Sequence, residues 1–158
     1  ALGSKPSRYP CSAEALAARV LKGRGLPEVN RLVDAYNAVS VAHLIPVGGE
    51  DAGALRGTLR LTVAAGDEPF EPRDGEAPET VDPGEVVWGD DAGVTCRRWN
   101  WRQGRRTQIG EGTTSAVFVF DALGPCGDDE LRAAVAELRG HLAAWSPGAR
   151  FEVVELPA

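Results

Sequence analysis

Apolar positions along the chain switch between a helical and a strand period. Leu16, Val20 and Leu21 share one face of a helix predicted from an N-cap at Ser12 to about Lys22, with Gly23 as its stop. Pro27 suits the first turn of a second helix, in which Val29, Leu32, Val33, Tyr36 and Val39 follow at helical spacing. Pro46, Gly48 and Gly49 then predict a loop. Leu59, Leu61 and Val63 alternate with Thr58, Arg60 and Thr62, the pattern of a half-buried strand. Residues 66–85 are rich in Gly, Pro, Asp and Glu and predict a long exposed loop.

Val86 to Trp88 read as a strand, Asp90 to Gly93 as a turn and Val94 to Trp99 as the returning strand. Ala116 to Phe120 predict a buried strand. Asp128, Asp129 and Glu130 place negative charge at a helix start, and Leu131, Val135, Leu138, Leu142 and Trp145 form one apolar stripe beyond it. Phe151 to Leu156 suggest a last strand. The expected fold class is α+β, a mixed sheet with packed helices, in one domain over residues 1–158.

Composition narrows the class. The chain has 158 residues, 43% of them hydrophobic and 25% charged, as in ordinary folded proteins. Its net charge of −6 repels a polyanion, so contact with nucleic acid requires a local basic patch. No apolar run approaches the roughly 18 residues that cross a bilayer, and no partner membrane is expected. Cys11, Cys96 and Cys126 are odd in number and irregular in spacing, which fits a reducing cytoplasm better than a disulfide framework. The chain holds no Met, which reads as a processed product or a fragment.

Generic catalytic patterns are missing. His43 and His141 are the only histidines, and the cysteines form no close pair for zinc. No phosphate-binding glycine loop and no nucleophile elbow occur. Neither a metal nor another cofactor is expected.

Two stretches stand out. In the first, Asn30 and Asn37 are seven residues apart and share a helix face, and Gly48-Gly49 follow. The amides either hold a ligand or brace neighbouring backbone, and the glycines admit either a ligand or a tight turn. The second stretch, Cys96 to Arg106, carries 5 of the 17 basic residues and 2 of the 4 tryptophans. On a strand, Arg98, Asn100 and Arg102 would share one face and Trp99 and Trp101 the other. Arginines can neutralise phosphates and tryptophans can stack on unpaired bases; equally, the tryptophans can be core and the arginines a solvated face paired with the acidic loop.

The order of these motifs resembles the B3/B4 domain, the aminoacyl-tRNA editing module of phenylalanyl-tRNA synthetase β-subunits. Editing domains carry N-x-V-V-D-x-T-N, then G-Q-P-M-H-A-F-D, a strand and A-D-D-x-G. This chain reads Asn30-Arg31-Leu32-Val33-Asp34-Ala35-Tyr36-Asn37, then Ile45-Pro46-Val47-Gly48-Gly49-Glu50-Asp51, then Gly89-Asp90-Asp91-Ala92-Gly93. The agreement runs from about residue 27 to about residue 123. The Arg-Arg-Trp-Asn-Trp-Arg segment resembles freestanding B3/B4 proteins, and by that resemblance this sequence is expected to lack their usual N-terminal segment.

The resemblance implies hydrolysis of mischarged tRNA in trans, in the cytoplasm, with tRNA and no DNA as partner. It implies Asn37 and Asp121 as catalytic residues, with Tyr36, Pro46, Gly48, Gly49, Glu50, Trp99 and Asn100 around the aminoacyl group. Arg97, Arg98, Trp101, Arg102, Arg105 and Arg106 are the expected tRNA contacts. Tyr36 stands where the family has Thr, and Gly48 where it has His. Trp99 and Asn100 replace small pocket residues. A non-catalytic module for an amino acid, a small ligand or tRNA is the alternative, and the loss of the His favours it.

Overall fold

The structure, a computed structural model, describes residues 7–73, 76–77, 79–122 and 126–156. Among these residues, three helices and eight strands form an α+β fold: α1 (Ser12–Leu21), α2 (Arg31–His43), β1 (Val47–Asp51), β2 (Arg60–Val63), β3 (Pro69–Phe70), β4 (Glu79–Thr80), β5 (Val86–Asp90), β6 (Gly93–Arg97), β7 (Arg102–Gln103), β8 (Ala116–Phe120) and α3 (Asp128–Trp145).

Side-chain capping sets the helix starts. At α1 the cap is Cys11 rather than Ser12, its Sγ accepting from the Glu14 amide at 3.4 Å. The second helix begins at Arg31, four residues past Pro27. Asn30 there accepts from the amides of Leu32 and Val33 at 3.1 and 3.0 Å, satisfying donors that no carbonyl reaches. Its amide nitrogen also donates to the Ile109 carbonyl at 3.1 Å. Asn30 is thus a brace.

β1 and β8 form an antiparallel ribbon in which Val47 faces Phe120, Gly48 faces Val119 and Gly49 faces Phe118. The predicted loop at 46–50 is mostly this strand. Its inward face packs with α2 and α3 around Tyr36, Val39, Ile45, Val47, Ile109, Ala134, Leu138 and Leu142. Gly49 is required here by packing: a Cβ would lie 2.7 Å from Ile109 Cδ1 and 2.9 Å from Tyr36 Cε1. The remaining strands make a sheet ordered β2-β5-β6-β3-β4, with β7 on β6, and a second core of Ala64, Phe70, Val81, Val87 and Val94.

Several expectations are corrected. Every residue of β2 is exposed, because β2 is an edge strand paired only with β5. The 66–85 region is not an exposed loop: it supplies β3 and β4 and buries Phe70, Val81 and Glu85. The strand after the 90–93 turn ends at Arg97, not Trp99. Trp145 is 40% exposed, its ring lying under the Arg31 guanidinium rather than in the core. Phe151 packs on the first core, but residues 151–156 form no strand, and Val153, Val154 and Leu156 are exposed.

The acidic segment folds because the arginines of β6 and its sequel hold it. Arg97 Nε and Nη2 donate to the two oxygens of Glu85 at 3.0 and 2.8 Å, and Nη1 donates to Glu79 at 2.5 Å. Side-chain exposures of 7% for Arg97 and 2% for Glu85 make this a buried bidentate pair. Removing one partner strands the other charge, at a cost of about 3–5 kcal/mol. Urea unfolding of Arg97→Met should show a loss in that range, and adding Glu85→Gln should restore part of it by removing the stranded charge.

Candidate functional site

A cleft of about 650 Å³ opens where the end of α2, the start of β1, the turn after β6, the end of β8 and the start of α3 meet. Its polar centre is Asp121. Trp99 Nε1 donates to one oxygen at 2.8 Å and Asn100 Nδ2 approaches the other at 3.4 Å. Burial pushes the Asp121 carboxyl above the usual carboxylate range, and the two hydrogen bonds oppose that rise. Leu44, Ile45, Pro46, Val86 and Trp99 line apolar parts of the wall.

Backbone strain presents the Trp99 and Asn100 side chains. Arg98 and Trp99 have φ of 47° and 66°, the left-handed region that side chains disfavour. The turn is held by the Arg98 amide donating to Glu85 at 3.0 Å and the Trp99 amide donating to the Val86 carbonyl at 2.7 Å. The alternating-face expectation for Arg98 to Arg102 is therefore corrected, since these residues turn rather than extend. The Asn100 carbonyl accepts from the Ser12 amide at 3.0 Å, joining α1 to the turn.

The structure brings Pro46, Arg98, Trp99, Asn100 and Asp121 to one cleft. Asn37 is buried, 8% exposed, and is not among the lining residues. Gly48 is exposed on β1, opposite Val119 in the ribbon, and does not line the cleft, while Val47 and Phe120 face the core. Tyr36 lies in the core, edge-on to Phe118, with its hydroxyl pushed up to about 12 by burial and then by Glu50. Glu50 is 5% exposed and accepts from Gln103 Nε2 at 2.9 Å. Burial pushes its carboxyl up, against the buried hydroxyls of Thr107 and Thr95 and the Gln103 amide. Tyr36, Gly49 and Glu50 do not line the cleft.

The five arginines of the 97–106 stretch are engaged internally. Arg97 holds Glu85 and Glu79, Arg98 holds Asp82, and Arg102 holds Glu76 and Glu79. Arg105 pairs with Glu71 at 3.4 Å, and Arg106 grips Asp90, whose side chain is fully buried, at 2.6 and 3.0 Å. Each expected phosphate contact among them is already a carboxylate contact. Trp101 meets Tyr9 edge-on with ring centroids 4.7 Å apart.

Wall residues that were not among the candidates include His43, Cys11 and Cys126. Nearness of His43 to Pro46 in sequence was the available signal; Cys11 and Cys126 arrive through tertiary packing alone. His43 Nδ1 lies 2.6 Å from Glu130 and Nε2 2.9 Å from Glu137. Occupation of both ring nitrogens by carboxylates favours the imidazolium and leaves no lone pair for base catalysis. Cys96 lies away from the cleft lining and burial pushes its thiol up, so it is a poor nucleophile. Among the described residues, no group of His, Cys, Asp and Glu is arranged to hold a metal ion, and no helix is long and apolar enough to cross a membrane.

Fold and cleft together define an α+β domain with a largely apolar pocket built around one half-buried carboxylate. The chain belongs to the B3/4 domain family, whose pattern matches residues 1–126. No curated protein sequence matches the chain.

The His43 contacts make a measurable pH signature. The Glu137 hydrogen bond, helped by Glu130, raises the His43 pKa above its usual 6.5, against the opposing effect of burial. Glu137 also faces His141 at 3.7 Å. A raised folded-state pKa contributes stability that is full below the unfolded value and is lost as pH rises through the folded one. The gap in melting temperature between wild type and His43→Gln should therefore shrink as pH rises from about 6 to about 9. A constant gap would mean that the contacts carry no charge.

Proposed function

We propose that the chain hydrolyses the ester of mischarged aminoacyl-tRNA in trans, in the cytoplasm, with the aminoacyl group held in the Asp121 cleft. The observation that carries this reading is the half-buried Asp121 carboxylate, fixed by Trp99 and Asn100 in a largely apolar pocket. A carboxylate with lone pairs left over is the natural partner of an α-ammonium group, and the apolar wall suits an amino-acid side chain. The B3/4 family and the resemblance to synthetase editing domains supply the ester and the tRNA.

In the reaction, water oxygen adds to the ester carbonyl carbon and the bond to the ribose oxygen breaks; one water proton ends on that ribose oxygen, and the other is released to solvent as the new carboxyl group ionises. Asp121 binds the ammonium and orients the ester and its water. His43 is not the base, because both of its nitrogens are occupied. Asn37, Tyr36, Gly49 and Glu50 support the ribbon and core behind this chemistry rather than touching substrate.

A second reading, a binding module without hydrolysis, is favoured by Gly48. Where the editing domains carry a histidine, this chain has no side chain, and a Cβ built there meets nothing within 4 Å. Gly48 lies diagonally from Asp121 across the ribbon, about 7–8 Å away.

Wild-type protein assayed against a panel of tRNAs charged with non-cognate amino acids should deacylate at least one. Asp121→Asn should lower kcat/KM by about 100-fold or more, as loss of a preorganised charged contact does. Gly48→His, which the open space accommodates, should fold normally and raise the rate. If wild type retains charged tRNA intact while Gly48→His cleaves it, the binding reading replaces hydrolysis.

A further inference from the structure

Charge is distributed unevenly along the chain. Residues 1–31 hold 6 Lys and Arg against 2 acids, Glu14 and Glu28; residues 32–158 hold 11 Lys and Arg against 21 acids. The net charges are therefore +4 and −10, which sum to the overall −6. Arg19, Lys22 and Arg24 are exposed, and none of the ion pairs among the described residues includes them. Arg19 Nε instead donates to the Gly25 carbonyl at 2.9 Å, which holds its guanidinium beside the end of α1. By contrast, Arg97, Arg102 and Arg106, in the stretch that looks most basic in sequence, are bound to carboxylates.

This basic segment is joined to the cleft. Cys11, the N-cap of α1, lines the cleft, and the Ser12 amide is bonded to Asn100. Ten residues of helix carry the chain about 15 Å from there to Lys22. Tyr9 and Trp101, both half-buried, lie at the cleft end of that path with the exposed Arg8 5.2 Å from the Tyr9 ring.

We propose that α1 and its C-terminal turn are the polyanion-binding surface of this protein, with Arg19, Lys22 and Arg24 contacting the phosphates of a single-stranded RNA end that leads into the cleft. This rests on the reading of the cleft as an aminoacyl-tRNA site for its choice of RNA. The location follows independently from the charge map. A molecule with a net charge of −6 needs a local cationic surface to hold a polyanion, and this one adjoins the site where the end must arrive.

The test is binding of a fluorescently labelled RNA hairpin with a single-stranded 3′ end, measured by anisotropy over a range of salt concentrations. Arg19→Gln/Lys22→Gln/Arg24→Gln should flatten the slope of log affinity against log salt by about 2, since each single-strand phosphate contact contributes about 0.7. In deacylation the same variant should raise KM at least tenfold with kcat little changed. Arg132→Gln/Arg139→Gln, on the exposed face of α3, should match wild type in both assays. An unchanged slope in the triple variant overturns the proposal, as does an equal loss in the α3 variant. Wild type that fails to bind the hairpin, whether or not it binds vesicles of anionic phospholipid, also overturns it. If the hairpin binds through α1 as expected but no charged tRNA is cleaved, the surface stands and the hydrolytic reading falls.

Discussion

The carboxylate of Glu85 is the constraint on which the candidate site depends. It accepts two hydrogen bonds from the Arg97 guanidinium and one from the Arg98 amide. Those contacts hold a corner in which two successive side-chain-bearing residues adopt left-handed backbone, a conformation costing of order 1–3 kcal/mol per residue. Without that corner β6 would continue, and Trp99 and Asn100 would alternate across a strand. With it, both side chains reach the same carboxylate, Asp121, from a neighbouring sheet. The buried ion pair is thus less a source of net stability than a device that specifies one backbone path.

The same network explains why a chain rich in acids folds its most acidic segment. Glu76, Glu79, Asp82 and Glu85 approach Arg97, Arg98 and Arg102, so that repulsion among carboxylates is offset at close range. Arg106 does the same for Asp90, which also accepts from the Arg56 and Ala92 amides and is held below the usual carboxylate range despite its burial. Clustered arginine in an acidic protein therefore has an internal use, and local density of cations along the sequence is a poor guide to where a polyanion docks. Unpaired cations are the better guide, and pairing becomes visible only once strands are aligned.

Periodicity carried the reading of sequence furthest where one element has one face to bury. Leu138 and Leu142 on α3, and a hairpin turning at 90–93, follow from spacing and turn chemistry, whereas Ala134, buried beside those leucines, lay outside the expected stripe. The pattern failed where tertiary partners overrode composition. Residues 66–85 look like loop because their apolar residues are few, yet Phe70 and Val81 are nearly inaccessible once charge pairing draws the segment onto β6. The strand at 60–63 alternates as a half-buried strand would, but it lies at an edge where all four residues are exposed. At the site, Trp99, Asn100 and Asp121 were legible through family resemblance, and their hydrogen bonds were not, because these depend on a left-handed turn that no local motif announces. Gly49 was legible as a position needing glycine; the reason, contact with Tyr36 and Ile109 rather than with a ligand, is a matter of packing.

Substitution of Trp and Asn into a pocket that is lined by small residues in the synthetase domains changes what the acid can do. A carboxylate offers about four lone-pair positions. Trp99 and Asn100 occupy two of them, one on each oxygen, and immobilise the group without neutralising it. The remaining positions can still receive a cation from the cleft. Burial makes the isolated charge costly, so a cationic group is favoured there over a neutral hydroxyl of the same size. The bulk of the indole meanwhile occupies space beside the acid. Under the function proposed above, both effects would select a small or compact aminoacyl group anchored by its ammonium over a large side chain recognised at its tip, and they arise from the same two residues that Glu85 holds in place.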